Sequence, residues 1–155
     1  MEVAELKKKY EQLAKKHKLP SFDELNSDFE IDKLDRESNN LLRAIRKLIM
    51  EKIVNSMSFL EMLVNPINAP RMYVPYIATM EVGDKKIIDE IYSSLAGLSV
   101  LSLELEINSE EKDEAVLING VFGRWRELKP KFSQILKNIK EPKNSVVKKE
   151  RSYFG

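Results

Sequence analysis

The sequence contains no cysteine and a single histidine, His17, among its 155 residues. The absence of cysteine excludes disulfide bonds, thiolate nucleophiles and cysteine-ligated metals, and it fits a reducing cytoplasm. One histidine is too few for a di-iron bundle, which takes a histidine from each of two helices. The five glycines match neither of the glycine-rich patterns that bind phosphate. We therefore expect no cofactor, and the balance of residues favours a non-enzymatic protein.

The chain also lacks a long uncharged apolar run and an excess of one charge. The N-terminal residues do not form a signal peptide pattern, and acidic residues interrupt the most apolar stretch, residues 87–107. We expect a cytoplasmic protein with no membrane partner. Because 26 Lys and Arg stand against 25 Asp and Glu, no global attraction to nucleic acid arises. Many Lys and Glu residues without cysteine are typical of heat-adapted proteins.

One helical pattern dominates what is present. Apolar residues recur every three or four positions without Pro or Gly between them, namely Leu42, Ile45, Ile49, Ile53, Met57, Leu60 and Val64. This spacing predicts one long helix over about residues 34–64, which ends because Asn65 precedes Pro66. The apolar stripe has to be covered, so the sequence predicts an all-α bundle in which shorter antiparallel helices pack on the long one. An apolar end left exposed on this helix would favour a homodimer.

The remaining elements are predicted around this helix. Residues 3–17 form an amphipathic helix, and Ser21 with Glu24 forms a capping box for a short second one. Residues 66–83 are irregular, with an extended piece as an option over residues 73–82. Residues 101–107 alternate as in a strand, but Leu and Glu favour helix and no second strand is available, so we predict a helix with a strand as the alternative. Asn108 and Ser109 would cap a further helix, which Pro130 separates from a last one.

Domain organisation follows from the same pattern. Residues 1–141 are predicted as a single helical domain, and residues 142–155 as a basic, flexible C-terminal tail. The segments LPSFDELNSDFEI, LSLELEINSEEKDEA and the terminal RSYFG resemble a family of small all-helical archaeal proteins of unassigned function. The resemblance implies an all-helical fold and a cytoplasmic archaeal setting. It implies no activity and no site residues.

Acidic residues give one candidate metal site. Glu111 and Glu114 lie three residues apart and would share a helix face, where they could help to hold Mg²⁺. Helical nucleotide hydrolases use facing acidic helices of this kind, so a magnesium-dependent nucleotide hydrolase is one alternative function. The simpler interpretation is that these carboxylates complement a helix N-terminus and lie in solvent.

Basic residues give a second alternative, association with nucleic acid through the Lys-rich segments at the two ends of the chain. The candidates belong to the long helix and to the tail: Arg43, Arg46, Lys47, Lys148, Lys149 and Arg151. If they converged on one side they would follow a phosphate backbone. The competing interpretation is a solvated face that pairs with the acidic residues between positions 21 and 37.

The leading hypothesis is a helical interaction or scaffold protein, which binds a partner protein or a second copy of itself. Trp125 lies between Arg124 and Arg126, and Trp and Arg are enriched at the energetic centres of interfaces. Tyr153 and Phe154 at the end of the tail could dock into a partner. The alternatives are that Trp125 belongs to the core and that the tail aromatics fold back onto the domain.

Overall fold

A computed structural model describes residues 2–34 and 39–141 of the chain. These residues form six α-helices, with no strand among them: α1 Val3–His17, α2 Phe22–Phe29, α3 Leu41–Val64, α4 Val74–Ala78, α5 Val82–Ile107 and α6 Glu111–Lys140. The predicted all-α bundle is confirmed. No helix within these ranges has both the length and the apolar content needed to cross a bilayer. The predicted tail, residues 142–155, lies outside the described residues.

The first two helices follow the sequence signals closely. Helix α1 ends at the predicted position, where Lys18 adopts a left-handed conformation and its N–H bonds the Ala14 carbonyl. The Ser21 hydroxyl accepts a hydrogen bond from the Glu24 backbone N–H at 3.2 Å, and the Glu24 carboxylate accepts one from the Ser21 N–H at 2.9 Å. The predicted capping box is therefore confirmed, and it fixes where α2 begins.

Helix α3 begins later than predicted, and the start near residue 34 is wrong. Ile31–Lys33 forms a turn of 3₁₀ helix that ends at Leu34 in an extended conformation. The Asn40 side chain then accepts a hydrogen bond from the Arg43 N–H at 3.1 Å and caps α3. The predicted end before Pro66 is confirmed.

The segment between α3 and α5 contains three short helices, and residues 73–78 are helical rather than extended. Two 3₁₀ turns, Pro66–Asn68 and Arg71–Tyr73, lead into α4. Helix α5 then includes residues 101–107, so the helical interpretation of that alternating stretch is confirmed. Helix α6 begins at Glu111 after Glu110, rather than after the predicted caps Asn108 and Ser109.

The predicted break at Pro130 is wrong, because α6 runs through it as one helix of 30 residues. A proline removes one helical hydrogen bond, but Pro130 is exposed and water can satisfy the freed carbonyl. Buried residues on both sides, Leu128 and Ile135, hold the helix on the core. Helix α6 has 30 residues and α5 has 26, so both exceed the 24 residues of α3, which is not the longest element.

The three long helices pack against one another and form the core. Contacts from Arg46 to Ser102 and from Met57 to Ser99 make α3 antiparallel to α5. Contacts from Glu90 to Lys131 and from Asp84 to Asn138 make α5 antiparallel to α6. The α1–α2 hairpin covers the α3–α6 side through ion pairs such as Asp28–Lys129. The far side of α5 has no described helix over it.

A buried charge cluster and an exposed apolar helix face

The first notable feature is a charged pair inside the core. Arg46 of α3 is 2% exposed and Glu114 of α6 is 0% exposed. The guanidinium donates two hydrogen bonds to the Glu114 carboxylate, Nε to Oε2 at 2.5 Å and Nη2 to Oε1 at 3.2 Å. This bidentate geometry is the strongest form of the Arg–carboxylate interaction. The pair thus joins α3 to α6 at a fixed register.

Polar neighbours complete the cluster. Arg46 Nη1 also donates to the Ser102 hydroxyl and to Glu106, both at 2.9 Å, while the Ser109 hydroxyl donates to Glu114 at 2.9 Å. Every buried side-chain nitrogen and oxygen atom in the described part of the chain has a hydrogen-bond partner. Although burial lowers the pKa of Arg46, its hydrogen bonds to Glu114 and Glu106 outweigh that effect and raise it. All buried polar side-chain atoms of the cluster are therefore hydrogen-bonded within the chain, and its role is structural.

Glu106 collects the cations at the edge of the cluster. Arg43 lies 3.2 Å and Lys47 3.5 Å from the Glu106 carboxylate, and Arg46 donates to its other oxygen. The hydrogen bond from Arg46, opposed by some desolvation and assisted by Arg43, holds the pKa of Glu106 below its usual range. These contacts bear on three of the residues predicted to bind nucleic acid. Arg46 is buried, so its assignment to a phosphate-binding surface is wrong, and Arg43 and Lys47 face an acid of the same protein.

The predicted metal pair does not come together. Glu114 is buried on Arg46, so the expectation that it lies in solvent is wrong. Glu111 instead contacts α1, with His17 Nε2 at 2.7 Å and Lys16 Nζ at 3.0 Å from Oε1. The hydrogen bonds from His17 and Lys16 hold the pKa of Glu111 below its usual range. Across residues 2–34 and 39–141, no group of three or more His, Cys, Asp or Glu is placed to hold a metal ion.

Trp125 lies in an aromatic group and contributes to the core. Its ring centroid is 6.2 Å from that of Phe29 and 6.0 Å from that of Phe132. Arg126 lies over the Phe122 ring at 4.5 Å and pairs with Glu24, whereas Arg124 pairs with Glu127 on the same helix. The three residues therefore do not form one surface. Tyr153, Phe154, Lys148, Lys149 and Arg151 lie outside the described residues.

The second notable feature is that α5 is apolar on two opposite faces. Its inner face, packed on the core, follows a three–four spacing of mostly apolar residues: Ile88, Ile91, Leu95, Leu98, Ser102 and Leu105. Its C-terminal half repeats the same spacing on the other side. We define the α5 outer face as Ser93, Ala96, Gly97, Val100, Leu103, Glu104 and Ile107; Ala96 lies at its edge and is partly buried against the core. A helix that is apolar all round is normally covered on all sides.

The large side chains of the α5 outer face project into solvent. Val100 is 58% exposed, Leu103 66% and Ile107 89%. Val54 of α3 lines a groove with Leu103, Val116 of α6 lines one with Glu104, and both valines are also exposed. A contiguous apolar patch of this kind marks an interaction site more often than scattered single residues do.

Shallow grooves lie on either side of α5 and make it a ridge. One groove, of about 360 Å³, runs between α3 and α5, and its lining combines apolar Met50, Val54 and Leu103 with polar and charged residues, among them Lys47 and Glu51. The other, of about 340 Å³, runs between α5 and α6 and is lined by Leu101, Val116 and Leu117.

Comparisons with known proteins add no assignment. No family model, no curated protein and no solved structure matches the chain. The resemblance to an archaeal helical family therefore stays a prediction, and function has to be argued from the geometry alone.

Sequence reasoning missed both notable features. The buried pair joins residues 68 positions apart, and no local pattern connects Arg46 with Glu114. The α5 outer face does have a local signal, because the apolar residues of α5 fit two interleaved heptad patterns rather than one.

Proposed function

We propose that this protein is a non-enzymatic helical interaction protein that associates with a second copy of itself through the α5 outer face. The single observation that carries the proposal is the row of exposed Val100, Leu103 and Ile107 on a helix whose opposite face already packs on the core. Water contact with these side chains is unfavourable, and covering them with another apolar surface would be favourable.

The size of this effect supports a specific interface. Burying an aliphatic side chain contributes about 1.5–3 kcal/mol, and two copies supply six large side chains between them. That gain is comparable with the about 4–15 kcal/mol of freedom lost when two molecules associate. The flanking Val54 and Val116 would add to the covered area.

The alternatives have less support from the described residues. The magnesium hypothesis needs Glu111 and Glu114 on one open site, whereas each contacts a basic group of this chain. The nucleic-acid hypothesis combines the Lys-rich ends of the chain with basic residues of α3, and of these Arg46 is 2% exposed while Arg43 and Lys47 pair with Glu106. Self-association requires only residues that are already exposed.

The experiment measures the mass of the full chain in solution by sedimentation equilibrium. We expect the wild-type protein to approach twice the mass of one chain at concentrations up to about 100 µM. Leu103→Glu places a charge in the covered surface and should give a single-chain mass, with an unchanged helical circular dichroism spectrum because Leu103 lies outside the core.

Ile67→Glu is the matched control. Ile67 is also aliphatic and 84% exposed, but it lies after α3 and away from the α5 outer face. This variant should keep the wild-type mass. A wild-type protein that stays a single chain at every concentration overturns the proposal, as does a Leu103→Glu variant that associates as well as Ile67→Glu.

A further inference from the structure

We infer that the two copies pair α5 on α5 in antiparallel orientation, centred on Val100, so that Leu103 and Ile107 of each copy pack on Gly97, Ala96 and Ser93 of the other. This inference rests on the proposed function and specifies the arrangement of that interface. It depends on how side-chain size and charge are distributed along the α5 outer face.

The α5 outer face is graded in size along the helix. Its N-terminal half carries Ser93, Ala96 and Gly97, and its C-terminal half carries Val100, Leu103 and Ile107. A second copy in antiparallel orientation places the large half of one helix opposite the small half of the other. Parallel pairing would instead place the large side chains of one helix opposite the large side chains of the other. The two helices would then be held apart, and the small residues of their N-terminal halves could not touch. Close helix packing needs the first arrangement.

Gly97 is consistent with this pairing. A glycine inside a helix costs about 1 kcal/mol relative to alanine. No atom of the described chain lies within 4 Å of the position that a Cβ would occupy at Gly97, so nothing within one copy requires glycine there. In the antiparallel pair Leu103 of the second copy lies over this position, where the absence of a side chain leaves room for it.

Charge points to the same orientation. Glu104 lies at the edge of the α5 outer face and is exposed. Parallel pairing would put the two Glu104 carboxylates side by side, which is unfavourable. Antiparallel pairing about Val100 separates them by eight residues, about 12 Å along the axis, and places each beside Ala96. The surface is therefore self-complementary, as a two-fold symmetric interface requires.

The absence of cysteine allows a direct test by disulfide trapping. Single cysteines are introduced into the full chain at Val100, Ile107, Ser93 and Ile67, and the purified proteins are oxidised under mild conditions. A disulfide needs two Cα atoms within about 7 Å. Val100→Cys should form a covalent pair with itself because it lies at the centre. Ile107→Cys should not, since the two copies of that residue lie about 21 Å apart along the axis in antiparallel pairing.

The deciding sample is a mixture of Ser93→Cys and Ile107→Cys, with an affinity tag on one chain so that the mixed pair has its own mass. We expect the mixture to give the mixed pair, and neither protein alone to give more covalent pairing than the Ile67→Cys collision control. Efficient self-pairing of Ile107→Cys would show parallel helices and overturn the inference. The proposed function would then survive. Failure of Val100→Cys to pair above the control would overturn the inference, and the mass of the wild-type chain in sedimentation equilibrium would then decide whether the proposed function stands.

Discussion

The buried pair Arg46–Glu114 gives the sharpest prediction on stability. Replacing Arg46 by Met keeps the volume of the side chain stem but leaves the Glu114 carboxylate, which is 0% exposed, with the Ser109 hydroxyl as its remaining partner at 2.9 Å. Removing one member of a buried ion pair typically costs 3–5 kcal/mol, about the range we expect for Arg46→Met. For a domain of this size the melting temperature should fall by about 6–20 °C.

The reverse change should cost less, and the structure supplies the reason. Glu114→Leu leaves Arg46 with its hydrogen bonds to the Ser102 hydroxyl and to Glu106, both at 2.9 Å, and a longer one to the Ser102 carbonyl. The double variant Arg46→Met with Glu114→Leu removes both charges and should be more stable than Arg46→Met alone, because no buried charge is then left unpaired. Replacement of such a pair by apolar side chains is often close to neutral.

The assay is urea unfolding followed by circular dichroism and by the fluorescence of Trp125, which is the only tryptophan. Arg43→Met is the matched control, since Arg43 lies one turn away on α3 and its partly exposed pair with Glu106 should contribute about 0–1 kcal/mol. The reasoning is refuted if Arg46→Met loses no more stability than Arg43→Met. It is also refuted if the effects of Arg46→Met and Glu114→Leu simply add in the double variant.

Two further predictions concern the capping box and the response to acid. Ser21→Ala removes the acceptor for the Glu24 N–H and should lower the free energy of unfolding by about 1 kcal/mol in the same urea assay; an unchanged midpoint would contradict the assigned role of the cap. The pKa values of Glu106 and Glu111 are lowered from 4.5 in the folded protein. The stability that these two carboxylates contribute should therefore be fully present above pH 4.5 and should be lost as acid protonates them. Between about pH 6 and about pH 3, Glu106→Gln should lose less stability than the wild type does; an equal or larger loss would show that the Glu106 ion pairs do not contribute.

Local signals predicted the parts of the fold that depend on local interactions. The end of α1, the capping box of α2 and the end of α3 before Pro66 each follow from a few neighbouring residues, and each is confirmed. The errors occur where packing overrides a local signal. Pro130 favours a break, but burial of Leu128 and Ile135 on either side keeps α6 continuous. An apolar stripe long enough to hold a helix on the core outweighs one missing hydrogen bond.

Site residues were harder to predict because charge in a sequence does not reveal burial. Arg43, Arg46 and Lys47 are nearly consecutive and basic, which suggested one cationic surface. The folded chain turns Arg46 into the core and leaves the other two at the edge, around Glu106. The acids that neutralise them come from α5 and α6, more than fifty positions later, and that pairing exists only once the three long helices pack.

The alternating stretch 101–107 links the fold to the proposed interface. Alternation is typical of a strand, and the propensity of Leu and Glu predicts a helix but does not explain why the apolar residues alternate. In the structure the same residues serve two surfaces, since Leu105 packs on the core while Leu103 and Ile107 face solvent on the other side. A helix that buries only one face within a single chain has no need of large apolar residues on its opposite face. The alternation of apolar residues over 101–107, which makes the secondary structure ambiguous in the sequence, is thus what a helix packed on two sides requires. It is the reason for proposing a second copy on the α5 outer face.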